Sequence, residues 1–405
     1  MISLGRITIF RKRVSFFSTK TSLYQVHEKL QGRMIPYAGY EMPLNYKNYN
    51  VLESCKKLRR DCGIFDVSHM LQLSFYGENA GNFLSSVTVA DIGNLNTGSA
   101  SLSLFLNSNA GIIDDLIINK IQLDKYNIVS NAACREKVLK HLTEQLKNWK
   151  NVHFEILDKS LIAIQGPKAE SVVKKLISDK DVDKYHRLSF MQSFSVQSFA
   201  GINVENFSEK DLIRITRCGY TGEDGFEISI PSEYSCEIFE KLLQDETVIP
   251  CGLAERDILR IEAGLSLYGN DISEEIDPFT AGLLWTISKN RRKYFDFLGG
   301  DKLKNILENK KYVDVKRFGF KWKSGPPARY DTKIVNEDGS QIGHISSSCF
   351  SPNCGLNIGM GYLKKSMMTD KALFLEIRNK RYPITVSPTP FVETKYKKIN
   401  SLNYI

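Results

Sequence analysis

NAGIIDDLIINK, residues 109–120, sets two adjacent acids, Asp114 and Asp115, inside an otherwise apolar run. Read as a strand, the run turns successive side chains to opposite faces. Asp114 then shares a face with Ile112, Leu116 and Ile118, and Asp115 with Ile113 and Ile117. Both faces carry large aliphatic groups, so at least one carboxylate must leave water or stand at a cleft. Burying an unpaired carboxylate is costly, and such a group pairs, takes up a proton or works.

Outward from this strand the chain reads as mixed α and β. Residues 50–60 (NVLESCKKLRR) carry apolar side chains at helical spacing and stop before Gly63. Leu102–Leu106 and Gly111–Ile118 read as strands, and Lys137–Trp149 as a helix with Leu139, Leu142 and Leu146 on one face. The charged stretch ENKKYVDVKR, residues 308–317, marks a boundary. Beyond it, Asp338-Gly339 between alternating flanks signals a hairpin, and residues 318–392 hold short strands separated by Gly, Pro and Asn turns. The expected architecture is α+β: a large body, residues 21–307, followed by an all-β barrel or sandwich domain, residues 308–405.

A length of 405 residues exceeds one ordinary core, and 42% hydrophobic with 25% charged residues is the composition of a globular protein. No run of eighteen apolar residues predicts a membrane span. The eight cysteines are scattered without a CxxC pair and the six histidines are isolated, so no metal is expected and free thiols are. The net charge of +9 is unevenly placed: the first 26 residues hold five basic side chains and no acid, and without those five the excess falls to +4. Residues 1–20 have the Arg-, Ser- and Phe-containing composition of a mitochondrial targeting presequence; a basic tail is the plainer alternative. The remaining basic residues are dispersed rather than clustered with aromatics, which argues against a nucleic-acid partner.

Two further stretches carry candidate chemistry. In TRCGYTGEDGFEISI, residues 216–230, a glycine-rich turn leads into a strand that sends Phe226, Ile228 and Ile230 to the core and Glu227 to the other face. Glu227 is then either a solvent-facing side chain or a carboxylate on a pocket wall, able to accept two parallel hydrogen bonds from an amino-pyrimidine edge. In GLAERDILRIEAGLSLYGND, residues 252–271, Leu253, Ile258, Ile261 and Leu265 form a helical stripe with Arg256 and Arg260 on the polar side. These arginines pair with nearby acids or present a cationic edge to an anionic ligand. KNRRK, residues 289–293, reads as a solvated charge run or a docking patch for an acidic partner. Neither GxxxxGK[ST] nor a strand-linked GxGxxG occurs, so phosphate-cradle and dinucleotide chemistry have no support.

In combination, these stretches and others make the chain resemble the glycine cleavage T-protein family, the tetrahydrofolate-dependent aminomethyltransferases. The resemblance runs from about Leu23 to about Tyr396 and is carried by YAGYEMPLNY, CGIFDVSHM, AGIIDDLI, VSNAACREK, IQGPKA, TRCGYTGEDGFEISI, GLAERDILRIEAGLSLYGNDI, SPNCGLNIGMGYL and PFVETKY in that order. It implies a three-domain, ring-like fold in which two interleaved α+β domains form the body and a β-barrel ends the chain. It also implies a reaction: the one-carbon unit of the aminomethyl-lipoyl H-protein passes to tetrahydrofolate, releasing ammonia and the dihydrolipoyl arm. The lipoylated H-protein would be the direct partner, P-protein and L-protein indirect ones, and the mitochondrial matrix the location.

By the same resemblance, Asp115 is the catalytic carboxylate and Asp114 a structural one. Glu227, Arg256 and Tyr396 match the family's folate-contacting positions, and Met70, Asn131 and Trp285 fall where it lines the pocket. Basic side chains around Arg291 and Arg292 would meet the H-protein. Three departures stand out: Tyr40 replaces the usual tryptophan, Ala110-Gly111 replaces a Gly pair, and Glu393-Thr394-Lys395-Tyr396 replaces Pro-Thr-Asn-Tyr. The same superfamily includes non-catalytic folate-binding proteins of iron–sulfur assembly, which carry Lys-Gly-Cys-Tyr where this chain has Arg217-Cys218-Gly219-Tyr220.

Overall fold

A computed structural model describes residues 18–204, 211–310, 313–367 and 372–398. Most of the expected presequence, residues 1–17, lies outside these. Thr19 and Lys20 already belong to the fold, pairing in parallel with Tyr40 and Glu41.

Two larger sheets organise the body, beside a three-stranded and a two-stranded one. The first has the strand order Ser193–Val196, Ile213–Thr216, Gly225–Pro231, Lys159–Gln165, Cys62–Asp66, Val248–Pro250. The second runs Ala100–Leu106, Ile112–Gln122, Lys125–Ser130, Leu71–Tyr76, His153–Ile156. Cys62–Asp66 and Lys159–Gln165 are antiparallel neighbours in the first sheet, so the chain that builds the second is inserted between them. Helices Ala80–Val87 and Arg135–Leu146 cover one face of the second sheet, with Phe83, Leu84, Val138 and Leu142 in its core. The chain later returns to this unit, where Ile272, Phe279 and Leu303 bury against Leu104, Leu106 and Ile112.

The last unit is a closed six-stranded barrel, opening at Val315–Trp322 and closing where Lys380–Ser387 pairs back onto it. Its hairpin turns at Gly339, with φ +92°, beside Asp338, whose Oδ1 accepts from Ser340 N at 2.7 Å. The fold class read from the sequence, α+β with a C-terminal all-β barrel, is the one found.

Helix Leu253–Glu262 joins the three units, and here the expected amphipathic pattern fails. Leu259 and Ile261 are buried, but so are Glu255, Arg260 and Glu262. The supposedly polar side is an interface with the barrel. Arg260 donates to Asp257 (2.9 Å), Asp271 (2.6 Å) and Ser347 (2.8 Å). Glu262 accepts from Arg59 (2.7 Å) and Asn353 (2.9 Å). Buried charges persist in such a place when each is paired. Arg291 corrects a second expectation: it is only 5% exposed, bonded to Asp296 (2.6 Å) and Thr88 O (3.2 Å), and so belongs to no docking patch. Lys289 and Lys293 in the same run are exposed. All eight cysteines are free thiols, and among the described residues no helix is long and apolar enough to cross a membrane.

Candidate active site

The acid pair is set by what precedes it. Ala110 adopts φ +65°, and a side chain at Gly111 would meet Glu274 O at 1.7 Å, so the turn into the strand admits only glycine there. Ile112 N then donates to Ser273 O and Ile276 O, both at 3.1 Å. Between Phe105 and Leu106 the pairing shifts register, a bulge that breaks the simple alternation. Ile113 consequently buries in one cluster with Leu116 and Ile118, while Ile112 belongs to another.

Asp114 is fully buried and well supplied with donors: Ser130 Oγ, Asn131 N (3.0 Å) and Asn131 Nδ2 (2.8 Å). Asp115 is half-buried and receives one side-chain bond, from Asn131 Nδ2 at 2.9 Å. Burial pushes both acids up, and burial together with the charge of Asp114 takes Asp115 to about 7. Asp114 has more hydrogen bonds to its charged form than Asp115 has, and Asp115 is poised to exchange a proton near neutrality.

The face of the strand beyond Asp115 borders a cleft between the two sheets. Ile117, Val129, Thr216, Cys218 and Glu227 are among its lining residues. Glu227 is half-buried and opposite Thr216 in register. Burial raises its carboxyl, against which the Arg256 charge and the Cys218 thiol pull down. The preceding turn is built on Gln165, whose Nε2 donates to Cys218 O (2.9 Å) and whose Oε1 accepts from Thr221 (2.9 Å). The Arg256 guanidinium stands over the Tyr220 ring at 4.7 Å, and its Nη1 is buried without a protein partner. That unsatisfied donor suits an acceptor atom of a ligand.

The remaining candidates divide. Met70 is half-buried and packs with Val129 against one core cluster. Tyr396 stacks on Phe190 at 4.1 Å and 22°, on a tail fastened by Lys395 N to Gly222 O (2.9 Å) and Phe190 N to Lys397 O (2.8 Å). It thus reaches the turn that leads into the strand of Glu227. Trp285 is not brought to the others: it is 65% exposed, in the short turn Leu284–Thr286, and has no ring contact or hydrogen bond among the described residues. Sequence reading missed Asn119, Asn127 and Gln72 in the cleft wall. Single amides in strands carry no local signal.

Residues 23–291 match the GCVT N-terminal domain, and residues 316–393 match the glycine cleavage T-protein C-terminal barrel domain. The chain is 41% identical over 381 residues to the probable mitochondrial aminomethyltransferase of Schizosaccharomyces pombe, covering 94% of each. It is 41% identical to the mitochondrial aminomethyltransferase of Saccharomyces cerevisiae, covering 96% of this chain and 98% of that one. It also superposes on the crystal structure of the glycine cleavage system aminomethyltransferase T of Bartonella henselae with TM-score 0.84 and 34% identity, covering 94% of this chain and 99% of that one. The fold, the acid pair and these matches define a transferase of the aminomethyltransferase class. The chain belongs to the glycine cleavage T-protein family. Its relatives are named as mitochondrial enzymes, which assigns this one to the mitochondrion and sets aside the non-catalytic reading.

Proposed function

We propose that the chain carries the one-carbon unit of an aminomethylated lipoyl H-protein to tetrahydrofolate. Two C–N bonds form at the folate nitrogens, and the C–S and C–NH₂ bonds of the arm break. The two N–H protons of the acceptor end on the dihydrolipoyl thiol and on ammonia. Asp115 orients the attacking nitrogen and relays its proton, and its carboxylate faces the cationic carbon that develops during transfer. Asn131 holds Asp115 in place. Glu227 accepts from the amino-pyrimidine edge, Arg256 donates to the ring system, and Met70 and Tyr396 close on its faces. Trp285, on the outer surface, is proposed only as a contact to the incoming partner.

The observation that carries this reading is Asp115, held by Asn131 Nδ2 at 2.9 Å and raised to about 7 by burial and the neighbouring acid, two residues before Ile117 on the wall of the cleft that Glu227 also lines. A general base works best near ambient pH. The test is methylenetetrahydrofolate formation by the purified chain with aminomethylated H-protein and tetrahydrofolate. Product that requires all three components supports the reading, and folate binding without transfer contradicts it.

A further inference from the structure

Beyond Ser387 the chain leaves the barrel and returns to the body, where Phe391 N and Val392 N both donate to Glu262 O, at 2.8 and 3.2 Å. Two lysines flank Tyr396 on this tail, and they are held differently. Lys395 Nζ stands 3.4 Å from Glu223 Oε1, an acid already paired with Arg59 at 3.0 Å. Lys397 Nζ donates to Glu170 Oε1 (2.7 Å) and to His186 O (3.2 Å). The Lys397 and Glu170 side chains are 35% and 33% exposed, and an ion pair that open to water adds little to global stability. It can still fix the place of the residue beside it.

Glu170 is the joint. Its second oxygen accepts from Arg217 Nη2 at 2.8 Å. Arg217 is fully buried; its Nε donates to Asp224 (2.9 Å), its Nη1 to Leu188 O (3.0 Å), and its backbone carbonyl accepts from Met191 N (2.8 Å). One guanidinium thus closes the turn that leads to Glu227 and fixes the loop of Phe190, the ring on which Tyr396 stacks. Phe190 N in turn donates to Lys397 O at 2.8 Å. Burial would raise the Glu170 carboxyl, but the bonds from Arg217 and Lys397 take it down to about 2. Glu170 therefore stays ionised throughout the range in which Asp115 titrates.

We infer that Lys397 is a positioning residue for acceptor binding: through Glu170 it ties the tail that carries Tyr396 to Arg217 and so to the turn before Glu227. The inference rests on tetrahydrofolate being the acceptor and Tyr396 touching it. Charge-assisted hydrogen bonds at both ends of Glu170 give the link its direction as well as its strength. Holding Tyr396 in place before the acceptor arrives spares the cost of ordering the tail on binding.

The experiment measures the dissociation constant of tetrahydrofolate for the full chain and its Lys397→Gln and Lys397→Arg variants over a series of salt concentrations. Amide hydrogen exchange and the Tm of each free protein are measured alongside. Loss of one exposed ion pair predicts roughly threefold to fivefold weaker binding by Lys397→Gln. Salt should weaken binding by the parent more than by that variant, because only the parent has the pair to screen. The Phe190 N–H should exchange faster in Lys397→Gln while the Met191 N–H, held by Arg217, stays protected. Lys397→Arg should restore the parental behaviour, and all three proteins should share one Tm. Unchanged affinity in Lys397→Gln, no recovery in Lys397→Arg, or a lowered Tm would overturn the inference and leave the folate reading standing. Failure of the parent chain to bind tetrahydrofolate would instead bring down the folate reading, and the inference with it.

Discussion

One carboxamide joins two acids: Asn131 Nδ2 lies 2.8 Å from Asp114 Oδ1 and 2.9 Å from Asp115 Oδ1. The same residue gives its backbone N–H to Asp114 at 3.0 Å. Asn131 thereby fixes the geometry of the pair, and it is the side-chain donor that pulls Asp115 down against burial and against its neighbour's charge.

Replacing Asn131 by leucine should raise the Asp115 pKa above its present value near 7. The rising acid limb of the pH–rate profile moves to higher pH, so turnover falls most at and below neutrality and recovers in part on the alkaline side. A pH profile of single-turnover transfer checks this. A uniform loss at every pH would assign Asn131 to substrate contact instead.

Asp115 also makes a stability prediction with a definite sign. Its folded pKa near 7 exceeds the unfolded value of about 4, so the native state holds the proton more tightly. Its contribution to stability is lost as pH climbs from about 4 to about 7. Asp115→Asn removes that loss. Its Tm relative to the parent should rise across the same window, as read by thermal melts at a series of pH values.

Legibility in the sequence followed the strength of local signals. Asp114 and Asp115 stood out because carboxylates in an aliphatic strand are costly, and Asp338-Gly339 because its turn chemistry is local. Helix Leu253–Glu262 was misread for the opposite reason. Arg260 and Glu262 look solvated by type, and only contacts from residues 59, 271, 347, 351 and 353 make their burial tolerable. Arg291 misled in the same way.

The Arg260 interface predicts a large cost. Arg260→Leu leaves Asp271 buried beside Ser346 and Ser347 without its cation. The expected destabilisation is about 3–5 kcal/mol by denaturant unfolding. Replacing Asp271 by leucine as well should recover much of it, since no unpaired charge then remains. Additive losses would show that the ion pair does not couple the two positions.

Asp66 anchors the first helix of the body. It accepts from Thr21 (2.7 Å) and Ser68 N (2.8 Å) and meets His27 Nε2 at 2.9 Å, while Tyr46 holds the other His27 nitrogen at 2.9 Å. Burial alone would raise its pKa, but the His27 hydrogen bond and charge and the Ser68 bonds hold it below the ordinary value. The stability it supplies is present above the unfolded pKa of about 4 and is lost as pH falls through the lower folded value. His27→Leu should cost about 1–3 kcal/mol and start acid unfolding at higher pH. An unchanged acid transition would contradict this.

The central claim is that Asp115 handles the proton of the transfer step. The most direct measurement is the single-turnover rate of methylenetetrahydrofolate formation by the parent chain and by Asp115→Asn, with tetrahydrofolate affinity measured for both. The account predicts transfer slowed by roughly 10²–10³ with affinity little changed. Transfer by Asp115→Asn at the parental rate would contradict it.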